Sequence, residues 1–224
     1  MRQATSLIEL VFAIVIMGIV VMSLPLILTQ VQNNDAFAMQ QEAILAAKAK
    51  IGDILTYEWD ESSYSPTAQR AYVLDATSDT ELSRVAGTNR RVGHVNAESR
   101  RKLFDTETNA TTALGQEGAI LNDIDDFSSV NSSVLTAAIV AETADNLDYI
   151  FDLNMTTTVT YAADTANYAA PTLGVFALNP DNNATITNIK TISVLVSGTN
   201  SNITLRAFTC NIGESSILPS RPYQ

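Results

Sequence analysis

The chain has 224 residues, 24 acidic and 13 basic side chains, a formal net charge of −11, one histidine and one cysteine. A charge of this sign repels phosphates, so no nucleic acid is expected as a partner. Cys210 cannot close a disulfide within the chain, and with His94 alone it cannot complete a zinc site. We therefore expect no cofactor.

The apolar residues are concentrated near the start of the chain. Of the 22 residues from Leu7 to Leu28, 18 are apolar, although the whole chain has a mean hydropathy of only +0.09. A helix of this length spans about 33 Å, enough to cross a bilayer. The apolar run is longer than that of a cleaved secretory peptide, and Arg2 precedes it, so the pattern predicts a membrane anchor.

Glu9 is unusual within this segment because a carboxylate in a bilayer is costly and usually has a partner. It could lie at the headgroup boundary and need none. If the chain were cut before Thr5, the new α-amino group of this or a neighbouring subunit would be a suitable cation.

Residues 1–12 read MRQATSLIELVF. This stretch resembles the class III leader and processing motif of type IV pilins and type II secretion pseudopilins. The resemblance implies cleavage between Ala4 and Thr5, and it places the family's glutamate at Glu9. The family usually has Gly where this chain has Ala4 and Phe where it has Thr5, so N-methylation of Thr5 is left open. Gly18 and Pro25 lie where many pilins carry helix-weakening residues, and a kink or local unwinding is expected at Pro25.

The resemblance implies a structural filament subunit. Such a subunit is cut by a prepilin peptidase, held by membrane lipid before assembly, and assembled by an inner-membrane platform. Its C-terminal domain would lie in the periplasm, within a pseudopilus or a cell-surface pilus. The alternative is a membrane-anchored binding protein or adhesin that does not assemble. The sequence has no catalytic motif, and we do not expect an enzyme.

The resemblance and the sequence pattern together divide the chain into four parts: a leader at 1–4, a membrane or filament-core helix at 5–28, an amphipathic continuation of that helix at 29–57, and a β-rich domain at 58–224. The predicted buried stripe of the continuation consists of six side chains: Phe37, Ile44, Ala47, Ile51, Ile54 and Leu55. Pro66 follows the end of the helix. Trp59, the only tryptophan, is expected to anchor the following loop on the domain.

Two charged stretches follow the helix. Residues 84–102 carry six basic side chains against one glutamate. A loop that pairs with acidic parts of its own or a neighbouring subunit is favoured over a DNA-binding surface, since no aromatic residues are interleaved. Asp123, Asp125 and Asp126 could bind calcium, but the spacing lacks the glycine and distal glutamate of an EF-hand loop. A solvated acidic turn is the favoured interpretation.

The sequence pattern in the last third of the chain predicts β-strands. Apolar or β-branched residues alternate with polar ones over residues 155–161, 191–197 and 202–207, and the polar stretch 197–202 predicts a hairpin loop. The predicted fold class is α+β: a long N-terminal helix packed on an antiparallel sheet.

Three asparagines match an extended N-glycosylation pattern, in which an acidic residue stands two positions before the asparagine. They are Asn109, Asn154 and Asn183. Chance matches are common in a chain this rich in Asn, Ser and Thr, so glycosylation is the minor hypothesis.

Overall fold

The computed structural model of the chain describes residues 7–79, 82–92, 101–136, 151–168, 170, 172, 177–180, 185–198 and 202–214. The predicted leader and cleavage site at Ala4 and Thr5, together with His94 and Asn183, lie outside these ranges.

The fold is α+β, as predicted. One long helix, α1, runs from Leu7 to Ile54 and contains 48 residues, so it is about 72 Å long. Gly18 and Pro25 lie within this helix, which continues through both residues without interruption. Local unwinding at Pro25 is therefore not observed, whereas a bend of the helix axis stays a prediction.

A four-stranded antiparallel sheet forms the centre of the domain. We number the strands in chain order: β1 (Tyr64–Ser65), β2 (Arg70–Ala71), β3 (Asn131–Thr136), β4 (Phe151–Tyr161), β5 (Ala163–Asp164), β6 (Leu178–Asn179), β7 (Ile189–Ser197) and β8 (Asn202–Cys210). The central sheet has the order β3-β4-β7-β8, while β1 pairs with β2 and β5 with β6. The predicted strands and the hairpin between β7 and β8 are confirmed, with Ser197 opposite Asn202.

The C-terminal quarter of α1 packs against β4, β7 and β8. Its buried residues are Ala43, Ala47, Ile51 and Ile54. The small alanine side chains let the helix approach the sheet closely, and the larger isoleucines fill the space near its end.

The predicted buried stripe was only partly right. Phe37, Ile44 and Leu55 are exposed by 60%, 42% and 44%, and Ala43 replaces them on the buried face. Phe37 lies before the helix reaches the sheet, and Ile44 projects about 100° around the helix from Ala43.

Two short 3-10 helices connect the main elements. The first, Glu61–Ser63, follows α1 after a short turn, and the second, Asp125–Phe127, precedes β3. The segments before them pair with each other, because the Ile124 amide donates to the Glu58 carbonyl oxygen at 2.9 Å. The end of the long helix is thereby tied to the entrance of the sheet.

Truncation of Ile54 should measure how strongly the helix end is packed. Ile54 is fully buried, so Ile54→Ala removes buried apolar volume and should lower the free energy of unfolding by about 2–5 kcal/mol. Urea unfolding of the detergent-solubilised chain provides the measurement. Leu45→Ala is the matched control, since Leu45 lies on the same helix with 60% of its side chain exposed and should change stability little. Equal losses for the two variants would contradict the packing described.

Candidate functional site: a buried lysine among carboxylates

Lys190 lies in the core, although it is charged. It stands two residues before Ile192 on β7, in phase with Val194 and Val196, so its side chain points to the same buried face. Across the ladder, Lys190 is opposite Tyr161 of β4. None of the Lys190 side chain is exposed to solvent. A buried ammonium needs partners that replace its lost hydration.

The Lys190 ammonium has those partners. It forms an ion pair and hydrogen bond with Asp125, and it donates to the Trp59 carbonyl oxygen at 2.7 Å. The nearest oxygen of Asp60 lies 3.6 Å from the Lys190 nitrogen. The same nitrogen lies 4.3 Å from the centre of the Trp59 ring and 5.6 Å from that of Tyr161, which adds cation–π attraction. The prediction that Trp59 anchors the loop is confirmed.

Asp60 joins the helix end to a distant loop. One of its oxygens accepts from the Ser62 amide at 3.0 Å and caps the first 3-10 helix. The other accepts from the Thr111 amide at 2.8 Å. The Tyr161 hydroxyl then donates to the Thr111 carbonyl oxygen at 2.6 Å. Burial and, after it, the negative charge of Asp60 raise the pKa of the Tyr161 hydroxyl, which keeps this donor protonated.

The acidic turn predicted to be solvated is in fact buried. Asp123, Asp125 and Asp126 are all at least 99% buried. Asp123 accepts from the backbone amides of Glu61, Asp125 and Asp126 at 2.7–3.1 Å, so its carboxylate organises both 3-10 helices. Asp126 accepts from the Asn122 amide at 2.7 Å. The solvated-turn interpretation was wrong because these carboxylates accept hydrogen bonds from backbone amides and from a lysine that is remote in sequence.

Among the residues that the structure describes, two sets of carboxylates are close enough to share a metal ion. The sets are Asp60, Glu61 and Asp123, and Glu61, Glu117 and Asp125, and within each the oxygens lie within 4.8 Å of one another. Oxygen clusters of this kind suit calcium. Of the three aspartates weighed as calcium ligands, Asp123 belongs to the first set and Asp125 to the second, while Asp126 belongs to neither. Calcium binding stays the minor hypothesis.

Glu61 is central to this carboxylate group. Burial and, after it, a hydrogen bond with the Asp123 carboxyl raise the pKa of Glu61 from 4.5 to about 8. Its Oε2 atom is buried and has no hydrogen-bond partner among the described residues. A protonated Glu61 relieves the repulsion between neighbouring acids at neutral pH.

The other predicted site residues are dispersed. Glu9 lies in the first turn of α1, and it is exposed. Asn109 is exposed in a loop, while Asn154 is exposed on β4, and both glycosylation hypotheses stay open. Cys210 is a free cysteine and is partly buried.

Part of the basic segment bonds within this chain. Arg84 forms an ion pair with Asp75 at 2.6 Å, Arg91 donates to Asn188, and Arg101 donates to the carbonyl oxygen of Gly213 at 2.6 Å. The Arg84–Asp75 pair is of the predicted kind, a contact between the basic segment and an acidic residue of its own subunit. The choice between this loop and a surface for nucleic acid stays a prediction.

Lys190 and Asp60 were missed as candidate residues. A signal for Lys190 was present, since it lies in phase with the three valine and isoleucine side chains that define the buried face of β7. A lysine at an inward position needs buried anions. The sequence does not show which acids supply them, because Asp125 lies 65 residues away from Lys190.

Comparison with known proteins identifies no relative: no family model, no curated protein and no solved structure matches the chain.

Removal of the Lys190 charge should be strongly destabilising. Lys190→Met leaves Asp125 and Asp60 buried without their cation, and breaking such a pair costs about 3–5 kcal/mol of unfolding free energy. Urea unfolding at pH 7 measures the loss. Lys48→Met, which removes an exposed lysine from α1, is the control and should change stability by no more than about 0.5 kcal/mol. A small loss in Lys190→Met would show that the buried charges are not balanced as described.

Glu61 should make stability depend on pH. Its pKa is raised from 4.5 to about 8, so between these values the folded chain holds a proton that the unfolded chain has released. The free energy of unfolding must therefore fall as pH rises from about 5 to 8. We expect Glu61→Gln to flatten this decline in urea unfolding carried out with a chelator present. Glu107→Gln, at an exposed glutamate, should leave it unchanged. An identical decline in wild type and Glu61→Gln would refute the assignment.

Proposed function

We propose that the chain is the structural subunit of a type IV pilus or a type II secretion pseudopilus, and that its function is assembly rather than catalysis. A prepilin peptidase would cut between Ala4 and Thr5. The helix would then hold the subunit in the bacterial inner membrane, with the domain in the periplasm. An assembly platform in that membrane would transfer the subunit into the filament.

The observation that carries this proposal is the division of α1 into two environments. The large apolar side chains from Leu7 to Val31 are all 49–83% exposed, whereas the end of the same helix is buried on the sheet. This stretch is long enough to cross a membrane, and none of it is buried within the chain. Apolar surface of this extent requires lipid or other protein around it.

A filament core offers the same helix a second apolar environment. Neighbouring helices can replace lipid around side chains such as Phe12 and Met22, whose exposures are 60% and 83%. A subunit can thus leave the membrane without exposing this surface to water. The domain, which holds most of the chain's acidic side chains, would form the polar coat of the filament.

Glu9 gives such a filament a means of fixing register. In an apolar core, a carboxylate is costly unless it meets a cation. The α-amino group of Thr5 on a neighbouring subunit would be that cation after cleavage. Subunits packed out of register would leave the Glu9 charge unpaired, so correct packing is favoured.

A membrane-anchored adhesin or binding protein is the alternative. It would use the same exposed helix as an anchor and would leave Glu9 without a role. The two proposals differ in whether the leader is removed and whether subunits associate.

The N-terminus of the mature protein distinguishes these proposals. We expect Edman or mass-spectrometric sequencing of protein sheared from the cell surface, or extracted from the periplasmic side, to begin at Thr5. An Ala4→Leu variant, with a bulky residue at the cleavage site, should keep its four-residue leader attached. Protein recovered outside the cell with Met1 intact would contradict processing by a prepilin peptidase.

A Glu9→Leu variant should separate membrane insertion from assembly. The substitution makes the helix more apolar, so the variant should remain in the membrane fraction while filaments observed by electron microscopy are lost. Asp35→Leu is a control on the same helix, since it removes one exposed charge outside the apolar segment. Normal filaments from Glu9→Leu would refute the register role.

A further inference from the structure

The contact between Lys190 and Asp125 joins two groups that can react with each other. The amine is on β7 and the carboxyl is on the second 3-10 helix, 65 residues apart in the chain. Both side chains are completely buried. The Lys190 nitrogen contacts Oδ1 of Asp125 directly, whereas Oδ2 of the same carboxyl is buried and has no partner among the described residues.

A second carboxyl and two aromatic rings complete the surroundings. The Asp60 carboxyl lies 3.6 Å from the Lys190 nitrogen, close enough to exchange a proton with it after a small movement. Trp59 and Tyr161 cover the amine, and the Trp59 carbonyl oxygen, at 2.7 Å, orients it. These groups exclude water from the pair.

Exclusion of water removes the hydration that would stabilise separated charges on the two groups. Transfer of one proton within the ion pair gives a neutral amine beside a neutral carboxylic acid. That is the only ionisation state in which an amine can attack a carboxyl carbon.

We propose that Lys190 and Asp125 condense to an intramolecular isopeptide bond, with Asp60 as the proton carrier. The neutral Lys190 nitrogen attacks Cγ of protonated Asp125 and forms the N–C bond. Asp60 accepts a proton from that nitrogen and returns it to the departing oxygen. The C–O bond breaks, and one water leaves. No oxidation or reduction occurs, and no further reactant is required.

The environment favours this product in two ways. The two groups are already held in contact, which removes the entropic cost of bringing them together. The reaction also replaces the buried charges of Lys190 and Asp125 and the partnerless Oδ2 with a neutral amide. The Asp60 carboxylate then keeps the backbone amides of Ser62 and Thr111 as its donors. The new bond would fasten the second 3-10 helix, and with it the end of α1, to β7.

A peptide map of the purified wild-type chain tests the proposal. Residues 103–189 contain no lysine or arginine, so trypsin should release 103–190 and 191–206 from an unlinked chain. An isopeptide at Lys190 blocks the cut after this residue. The expected product is a single peptide, 103–206, that is lighter than its sequence by one water, about 18 Da.

A second protease locates the bond. Cleavage after glutamate separates 118–142, which contains Asp125, from 143–214, which contains Lys190. These two peptides should appear as one ion, about 18 Da lighter than their sum, under conditions that reduce disulfides. Separate peptides at their full masses would overturn the proposal.

Two variants assign the roles. Lys190→Arg keeps the positive charge but cannot form this amide, so its peptides should have full mass. Lys48→Arg is the control at an exposed lysine, and its chain should keep the link. Asp60→Asn should slow formation of the link at least about tenfold, measured as the linked fraction against time after synthesis, since general acid–base groups contribute rate factors of this order or larger. Undiminished linking in Asp60→Asn would overturn the role of Asp60. The wild-type map decides on the bond itself even if a variant fails to fold.

Discussion

The burial of one positive charge determines much of this structure. Lys190 occupies an inward position of β7, where a solvated ammonium is impossible, so the chain must bring anions and aromatic faces to it. Asp125 and Asp60 supply the anions, and Trp59 supplies a carbonyl oxygen and a ring. These partners come from the end of the long helix and from the turn before β3. The need to neutralise the Lys190 charge therefore holds together three segments that are remote in sequence.

The carboxylates also replace regular secondary structure at this junction. Between α1 and the sheet the backbone has few ladder hydrogen bonds, and its amides need other acceptors. Asp60 and Asp123 accept from the amides of Ser62, Thr111 and Glu61, among others. The result is a compact joint rather than a loose linker. In an assembled filament, such a joint would transmit force from the helix core to the domain, which is consistent with the proposed function.

Sequence patterns predicted the elements of the fold better than they predicted its site. Period-two alternation identified β4, β7 and β8. One face of each strand is buried, so apolar and polar residues alternate along its sequence. The buried face of α1 was only partly predicted, since an alanine such as Ala43 carries little hydropathic signal while exposed Phe37 carries much. The acidic turn was misjudged because burial of Asp123 depends on long-range partners. Patterns within a window of ten residues cannot report a lysine 65 residues away.

Hydrogen exchange at the amides that the carboxylates bind measures the central claim most directly. The amides of Glu61, Ser62 and Thr111 lie outside long helices and strands, so their protection depends on Asp123 and Asp60. If the junction held by these carboxylates is part of the cooperative core, these three amides should exchange about as slowly as the core amides of β7, by global unfolding. Exchange at the rate of an exposed loop would contradict the account, because the joint would then open independently of the sheet.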